Sequence, residues 1–309
     1  MIATLQKELS GLVPTHSTLV SVGVFDGVHL GHQTLLKKLV AQAREKNLLS
    51  AVITFKQHPL AVLAPHQPVP FITSLTERIR LIREAGVDMV VTLTFSQELA
   101  DLGAQPFVLM LQQYLKMQGM ILGWDFALGH NREGSLDALH DLGAKLGFTT
   151  EVVGPVKYHG EIISSTAIRQ DLAAGDITRA NAMLGRTFSL EGCVVTGDGR
   201  GAELGFPTAN LDLDPAQALP ADGVYATLSH FGGQSFPAAT FIGTRPTFDG
   251  VERIVEAHVL DYTGDLYRRE LRIDIIERLR PERKFHDAES LKAQIAKDVK
   301  EVRRKLAAT

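Results

Sequence analysis

Two histidines, His29 and His32, stand three residues apart in GVFDGVHLGHQ, residues 23–33. The β-branched apolar run TLVSV precedes this stretch, and the helix-patterned run TLLKKLVAQAREK follows it. A helix that begins at the end of a strand aims free N–H groups and the positive end of its dipole outward, which suits an anion. Gly27 and Gly31 let backbone approach a bulky phosphate, and Gly23 is counted with the nucleotide- and phosphate-binding positions. Imidazole is a compact donor for phosphate oxygens in such a turn. Asp26 is grouped with these positions, although a carboxylate facing phosphate is unfavourable; it fits better as a cap or as the orienter of a neighbour. Two alternatives remain for the histidines: a metal pair, for which no nearby cysteine or carboxylate completes a ligand set, and ordinary polar surface.

Other stretches carry the same kind of chemistry. ISSTAIR places Ser164, Ser165 and Thr166 before a helix and Arg169 one turn later, an anion cradle with a fixed positive charge or, equally, a plain helix cap. GWDFALGHNREG offers Asp125 and Asn131 for a base or ribose and Arg132 for a phosphate. Further on, GCVVTGDGRGAELGFPTANL is rich in glycine, including Gly197, Gly201 and Gly205, and reads either as a loop packed against phosphates or as a glycine-rich barrel turn. No GK[ST] follows, so it is not a Walker A loop. Thr208 and Asn210 lie two apart and share a face if extended, giving a hydroxyl and an amide oxygen of the hard type Mg²⁺ prefers.

The elements that must position these groups fall into two patterns. The first half alternates strands (18–25, 50–55, 89–95, 120–123) with helices (33–46, 76–85, 106–116, 136–147), which implies a parallel sheet with crossover helices. Helices at 165–174 and 177–184 end at Gly185. Short strands then dominate (192–196, 223–229, 238–242, 255–261, 271–276) with tight turns between them, which predicts an antiparallel barrel. The last segment, 287–306, is a helix with Asp287 as N-cap. The expected domains are 1–185 and 186–309.

Composition narrows the function. The chain has 309 residues, 45% hydrophobic and 22% charged, with a net charge of −3. No global basic field exists for nucleic acid, so no nucleic-acid partner is expected. No apolar run approaches the roughly 18 residues of a membrane span. The N-terminus lacks a signal-peptide pattern, so a cytoplasmic location is expected. The single cysteine, Cys193, excludes an intrachain disulfide and reads as a small buried apolar residue. Oligomeric state is not legible.

HLGH followed at a distance by ISSTAIR resembles the HxGH nucleotidyltransferase superfamily. From about Thr18 to Leu306, through TFKQHP, GWDFALGHNREG, ISSTAIR and PTAN, the chain resembles the bacterial bifunctional riboflavin kinase/FAD synthetase family. The resemblance implies an α/β plus β chain: a Rossmann-like nucleotidyltransferase domain, then an antiparallel Greek-key barrel with a terminal helix. It implies phosphorylation of riboflavin to FMN, then adenylyl transfer from ATP to FMN. Thr208 and Asn210 are then expected to help hold ATP–Mg²⁺, and Glu256 in VEAHVLDYTGDLY to be the catalytic base. His29 and His32 stabilise charge on the transferring phosphates, with Ser164, Thr166 and Arg169 on the triphosphate. The chain departs from the family pattern at Arg268, where glycine commonly follows LY, and at Ala127, where arginine is usual. Arg280, Glu282 and Lys284 match the family without an assigned step. The competing readings are a kinase-only enzyme and a flavin-binding regulator.

Overall fold

Every residue of TLVSV is buried, so β1 (Thr18–Val22) has no solvent face. Such a strand is stable only at the centre of a sheet covered on both sides. In the computed structural model, β1 is the middle of five strands ordered β3-β2-β1-β4-β5. The others are β2 (Leu49–Phe55), β3 (Met89–Leu93), β4 (Met117–Gly123) and β5 (Thr149–Val153), and every pairing is parallel. The structure describes residues 3–67, 69–129, 133–247 and 250–307.

Successive side chains leave opposite faces of a strand. Val20 and Val22 enter one core with Phe107, Val108 and Leu111, whereas Leu19 enters a second with Leu35, Leu36, Leu39 and Ile82. The helix Leu30–Glu45 buries Leu35, Leu36, Leu39, Val40 and Ala43 along one face, each large aliphatic contributing about 1.5–3 kcal/mol. That burial fixes where its N-terminus points. The strand order reverses beside β1, so the C-terminal ends of β1 and β4 frame the crevice where this Rossmann-like fold takes ligands.

A small hairpin, β6 (Lys157–Tyr158) and β7 (Glu161–Ile162), precedes the helices Ser165–Ala174 and Ile177–Leu184. Six strands then close a barrel: β8 (Phe188–Val195), β9 (Ala209–Asp212), β10 (Gly223–Phe231), β11 (Gln234–Thr247), β12 (Gly250–Val259) and β13 (Glu270–Pro281). Three consecutive hairpin strands, β10 to β12, have β13 returning beside β10, which is the Greek-key arrangement. The terminal helix Ala288–Leu306 lies on the barrel's outer face, where Val302 meets Ala226, Ala239 and Leu260. Asp287 caps it by accepting from the Ser290 N–H at 2.7 Å. Arg280 is bidentate to the buried Asp298 of this helix, which gives it a structural task.

The compact units divide between Ser165 and Thr166. The two helices before Gly185 therefore group with the barrel, where Asn181 donates to the Ile275 carbonyl at 3.0 Å and accepts from the Phe188 N–H at 2.7 Å. Elements not expected from sequence include the helix Ala3–Ser10, the short helices Leu60–Leu63, Gln97–Ala100 and Arg200–Glu203, the β6–β7 hairpin, β5 and β9. Cys193 is half-exposed on β8 rather than buried.

Arg268 has φ +62°, the left-handed region, and its N–H is pinned to the Val194 carbonyl at 2.9 Å. Glycine adopts this conformation without the steric cost that a β-carbon brings. Replacing Arg268→Gly is predicted to stabilise the barrel by about 1 kcal/mol, read as a higher denaturant midpoint. A lowered midpoint would show that the arginine side chain contributes more than its backbone strain costs.

Candidate active sites

The first site forms where β1 ends. Phe25 (φ +52°), Gly27 (φ +79°) and Val28 (φ +37°) turn the chain through left-handed conformations, a costly geometry for a β-branched valine. His29 then caps the helix, its Nδ1 accepting from the His32 N–H at 3.4 Å. The two imidazoles stack with centroids 3.7 Å apart and planes 19° apart. His29 is only 6% exposed. A β-carbon on Gly31 would sit 3.1 Å from the His29 ring, so glycine there gives the stack its room.

Asp26 is 1% exposed, and its carboxylate is engaged by the backbone. Its carboxylate accepts from the Ile72 and Thr73 N–H groups at 2.9 and 3.2 Å, and Thr73 Oγ1 accepts from the Gly27 N–H at 3.1 Å. This aspartate ties the turn to a segment 46 residues away, so it serves the site by holding it. Ser165 donates to the Asp26 carbonyl at 2.9 Å, bringing Ser164 and Ser165 to the same turn. Gly23 leaves space for the Phe25 ring, 3.1 Å from where its β-carbon would be. Asp125 is exposed just past β4, at the same edge of the sheet. Thr166 and Arg169 follow on the helix Ser165–Ala174 and belong to the second compact unit. Asn131 and Arg132 lie outside the described residues.

The second site lies on the barrel. Along β12, Val255, Ala257 and Val259 are buried in alternation, which places Glu256 and His258 on the other face, both half-buried. Glu256 pairs across the strands with Asn210 of β9, and Thr208 hydrogen-bonds its carboxylate. Burial pushes the Glu256 carboxyl above its ordinary value; Arg245 and the Thr208 hydroxyl oppose this, and Asp198 adds to it. His258 Nδ1 pairs with the Pro207 carbonyl at 2.8 Å, anchoring the PTAN segment to β12. The glycine loop closes over this cluster. A β-carbon on Gly197 would overlap the Asn210 amide, and one on Gly201 would overlap the Phe206 carbonyl and come 3.2 Å from Thr208 Oγ1. Gly205 has φ +87° and turns the chain into PTAN. Sequence reasoning missed Arg245 and Asp198, ion-paired at 3.3 Å, because nothing local marks a charge 47 residues from its partner.

One site presents stacked imidazoles at a helix N-terminus, suited to stabilising anionic phosphate. The other joins a raised carboxyl to a hydroxyl and an amide, suited to taking a proton beside a cation-bound phosphate. Known proteins agree with this division of labour. Residues 13–167 match the FAD synthetase family and residues 184–306 the riboflavin kinase family. The bifunctional riboflavin kinase/FMN adenylyltransferase of Escherichia coli K12 is 38% identical over 92% of this chain and 91% of its own. That of Pseudomonas fluorescens is 38% identical over 96% and 95%, and that of Bacillus subtilis 34% over 92% and 91%. A crystal structure described as a macrolide-efflux protein from Streptococcus pneumoniae is 31% identical and superposes with a TM-score of 0.88 over 96% of each chain. Among the described residues, no helix is long and apolar enough to cross a membrane. The chain belongs to the bifunctional riboflavin kinase/FMN adenylyltransferase family.

Gly197→Ala is predicted to displace the Asn210 amide and lower riboflavin phosphorylation at least about tenfold, while FAD formation from supplied FMN stays unchanged. Equal loss of both activities would show that the substitution disturbs more than the barrel site.

Proposed function

We propose that this chain makes FAD from riboflavin in two steps, each at its own site, with the N-terminal parallel-sheet unit as the FMN adenylyltransferase and the barrel unit as the riboflavin kinase. The observation that carries the reading is the Glu256–Thr208–Asn210 cluster on the same chain as the His29–His32 stack. Intact sets at both places argue against a kinase-only enzyme or a non-catalytic regulator. The substrates are ATP, riboflavin and FMN, and an ATP-consuming pathway of this kind suits the cytoplasm.

At the barrel, Glu256 accepts the proton of the riboflavin 5′-hydroxyl as that oxygen attacks the γ-phosphorus of ATP, and ADP leaves. Positioning and charge stabilisation dominate such a transfer. Thr208 and Asn210 supply hard oxygen donors, and no group of three or more His, Cys, Asp or Glu side chains fit for a metal occurs among the described residues. That set fits Mg²⁺, which is usually held by few protein ligands plus substrate phosphates. Bound with ATP there, Mg²⁺ would neutralise phosphate charge. Gly197, Gly201 and Gly205 keep the loop backbone close to that phosphate.

At the sheet, a phosphate oxygen of FMN attacks the α-phosphorus of a second ATP, and pyrophosphate leaves. The attacking phosphate is already ionised, so no strong base is required. His29 and His32 donate to the transferring and leaving phosphates. Ser164 and Ser165, brought to the same turn, help hold the triphosphate, and Asp125 at the same sheet edge meets the base or ribose. Losing one such donor costs about 3 kcal/mol, or roughly 10²–10³ in rate.

The direct test is pure protein incubated with riboflavin, ATP and Mg²⁺, the flavins separated by chromatography over time. FMN is expected first and FAD after it; FMN alone would remove the adenylyltransferase assignment. The Glu256 carboxyl adds a pH prediction. The base must be ionised, so phosphorylation is lost as pH falls, with its acid limb above the ordinary carboxylate range. Arg245 holds the carboxyl down, so Arg245→Met is predicted to move that limb to higher pH; an unmoved limb would exclude Glu256 as the titrating group. Because the folded carboxyl binds its proton more tightly than the unfolded one, stability falls as pH rises between the two values and stays reduced above them. Glu256→Gln is therefore expected to abolish phosphorylation yet raise the barrel's unfolding midpoint at neutral pH. A lowered midpoint would mean the carboxylate is there for stability.

A further inference from the structure

Arg78 is completely buried, 0% exposed, in a helix whose sequence, LTERIRLIRE, reads as a charged surface. Its Nη1 donates to the Val24 carbonyl at 2.8 Å, the Phe55 carbonyl at 3.1 Å and Thr54 Oγ1 at 3.3 Å. Thr54 Oγ1 itself donates to the Val24 carbonyl at 2.8 Å. Val24 stands just past the end of β1, immediately before the left-handed Phe25, and Phe55 is the last residue of β2. The guanidinium lies 4.5 Å from the Phe71 ring centroid. Its Nε and Nη2 are buried with no hydrogen-bond acceptor among the described residues.

This is an expensive way to fill space. A buried charge is costly unless paired, and a hydrophobic side chain of similar volume is often neutral or stabilising in its place. The nearest compensation is the electrostatic effect of Asp26, the residue that ties the same turn to Ile72 and Thr73. The benefit therefore lies in what Nη1 grips. One planar group holds the exit of β1 and the end of β2 together, next to the three positive-φ residues that deliver His29 to the helix N-terminus.

We propose that Arg78 is a positioning residue for adenylyl transfer: it clamps the ends of β1 and β2 so that the turn bearing His29 and His32 keeps its left-handed geometry. The proposal rests on the FMN adenylyltransferase reading of this unit. It acts through backbone and touches no substrate, so its signature is a loss in kcat without loss of fold.

The test is FAD formation from supplied FMN and ATP by Arg78→Met and Arg78→Lys, with riboflavin phosphorylation measured on the same samples. Trp124, the single tryptophan, lies in the first compact unit, so its fluorescence reports folding of that unit. Arg78→Met is expected to keep or raise the unfolding midpoint and to lower kcat about a hundredfold with KM for FMN little changed. Arg78→Lys, which restores a donor without the planar fork, is expected to recover about tenfold of that loss. Phosphorylation by the barrel stays at the wild-type rate. A folded Arg78→Met with wild-type kcat overturns the proposal. If Arg78→Met does not fold, Thr54→Val decides: a severalfold fall in kcat supports the clamp, and an unchanged kcat overturns it. A wild-type protein that phosphorylates riboflavin but makes no FAD overturns the adenylyltransferase reading and the clamp with it.

Discussion

A buried strand must end somewhere, and where β1 ends the chain faces a conflict between burial and hydrogen bonding. Its five residues are wholly covered, yet the next residues have to leave the core and start a helix. Backbone groups at such an exit are costly if left unpaired. The Asp26 carboxylate resolves this by accepting from two N–H groups of the Ile72–Thr73 segment, while Thr73 accepts from the Gly27 N–H. With the exit fixed, the apolar face of the helix Leu30–Glu45 sets its direction, and His29 and His32 stack at its first turn. The chemistry of the first site is a consequence of how that exit is tied down.

The barrel solves a different problem with the same economy. A carboxylate on the outer face of a strand would normally be solvated and titrate in its ordinary range. Here it is half-buried, beside Thr208 and Asn210, against which the glycine loop packs. Glycines at 197 and 201 are required because the Asn210 amide, the Phe206 carbonyl and Thr208 occupy the space of a side chain. Burial raises the Glu256 pKa, while the charge of Arg245 and the hydrogen bond from Thr208 keep it from rising further. A base beside phosphate needs this balance between proton affinity and ionisation.

Much of this was legible in the sequence, and the remainder was hidden for identifiable reasons. The alternation of apolar strands and amphipathic helices revealed the parallel sheet, and the glycine-punctuated short strands revealed the barrel. β5, TTEVV, escaped because an edge strand with a partly solvated surface lacks a continuous apolar run. β9 is four residues long and sits inside a loop-like motif, so only its pairing with Glu256 and Ala257 identifies it. Local pattern and family resemblance both pointed to the histidines, Thr208 and Asn210, whereas Glu256 was marked by the resemblance alone, because an isolated glutamate on a strand reads as an outward surface residue. Arg78 was not, because one more arginine in a charged helix carries no mark of burial; its partners lie 23 to 54 residues away. Asp26 was listed with the phosphate-binding positions yet read as a cap or orienter, and its hydrogen bonds to the Ile72 and Thr73 N–H groups fit the orienting reading, although sequence alone could not name the segment it holds.

The central claim is that two complete and separate active sites share one chain. Complementation tests it most directly. Glu256→Gln alone should fail to convert riboflavin, and the double variant His29→Ala, His32→Ala should stop at FMN. Mixed in one tube with riboflavin, ATP and Mg²⁺, the two variants should together produce FAD, because FMN released by one is substrate for the other. A mixture that accumulates FMN and forms no FAD, although Glu256→Gln converts supplied FMN, would show that the two steps depend on each other within a chain and contradict the account.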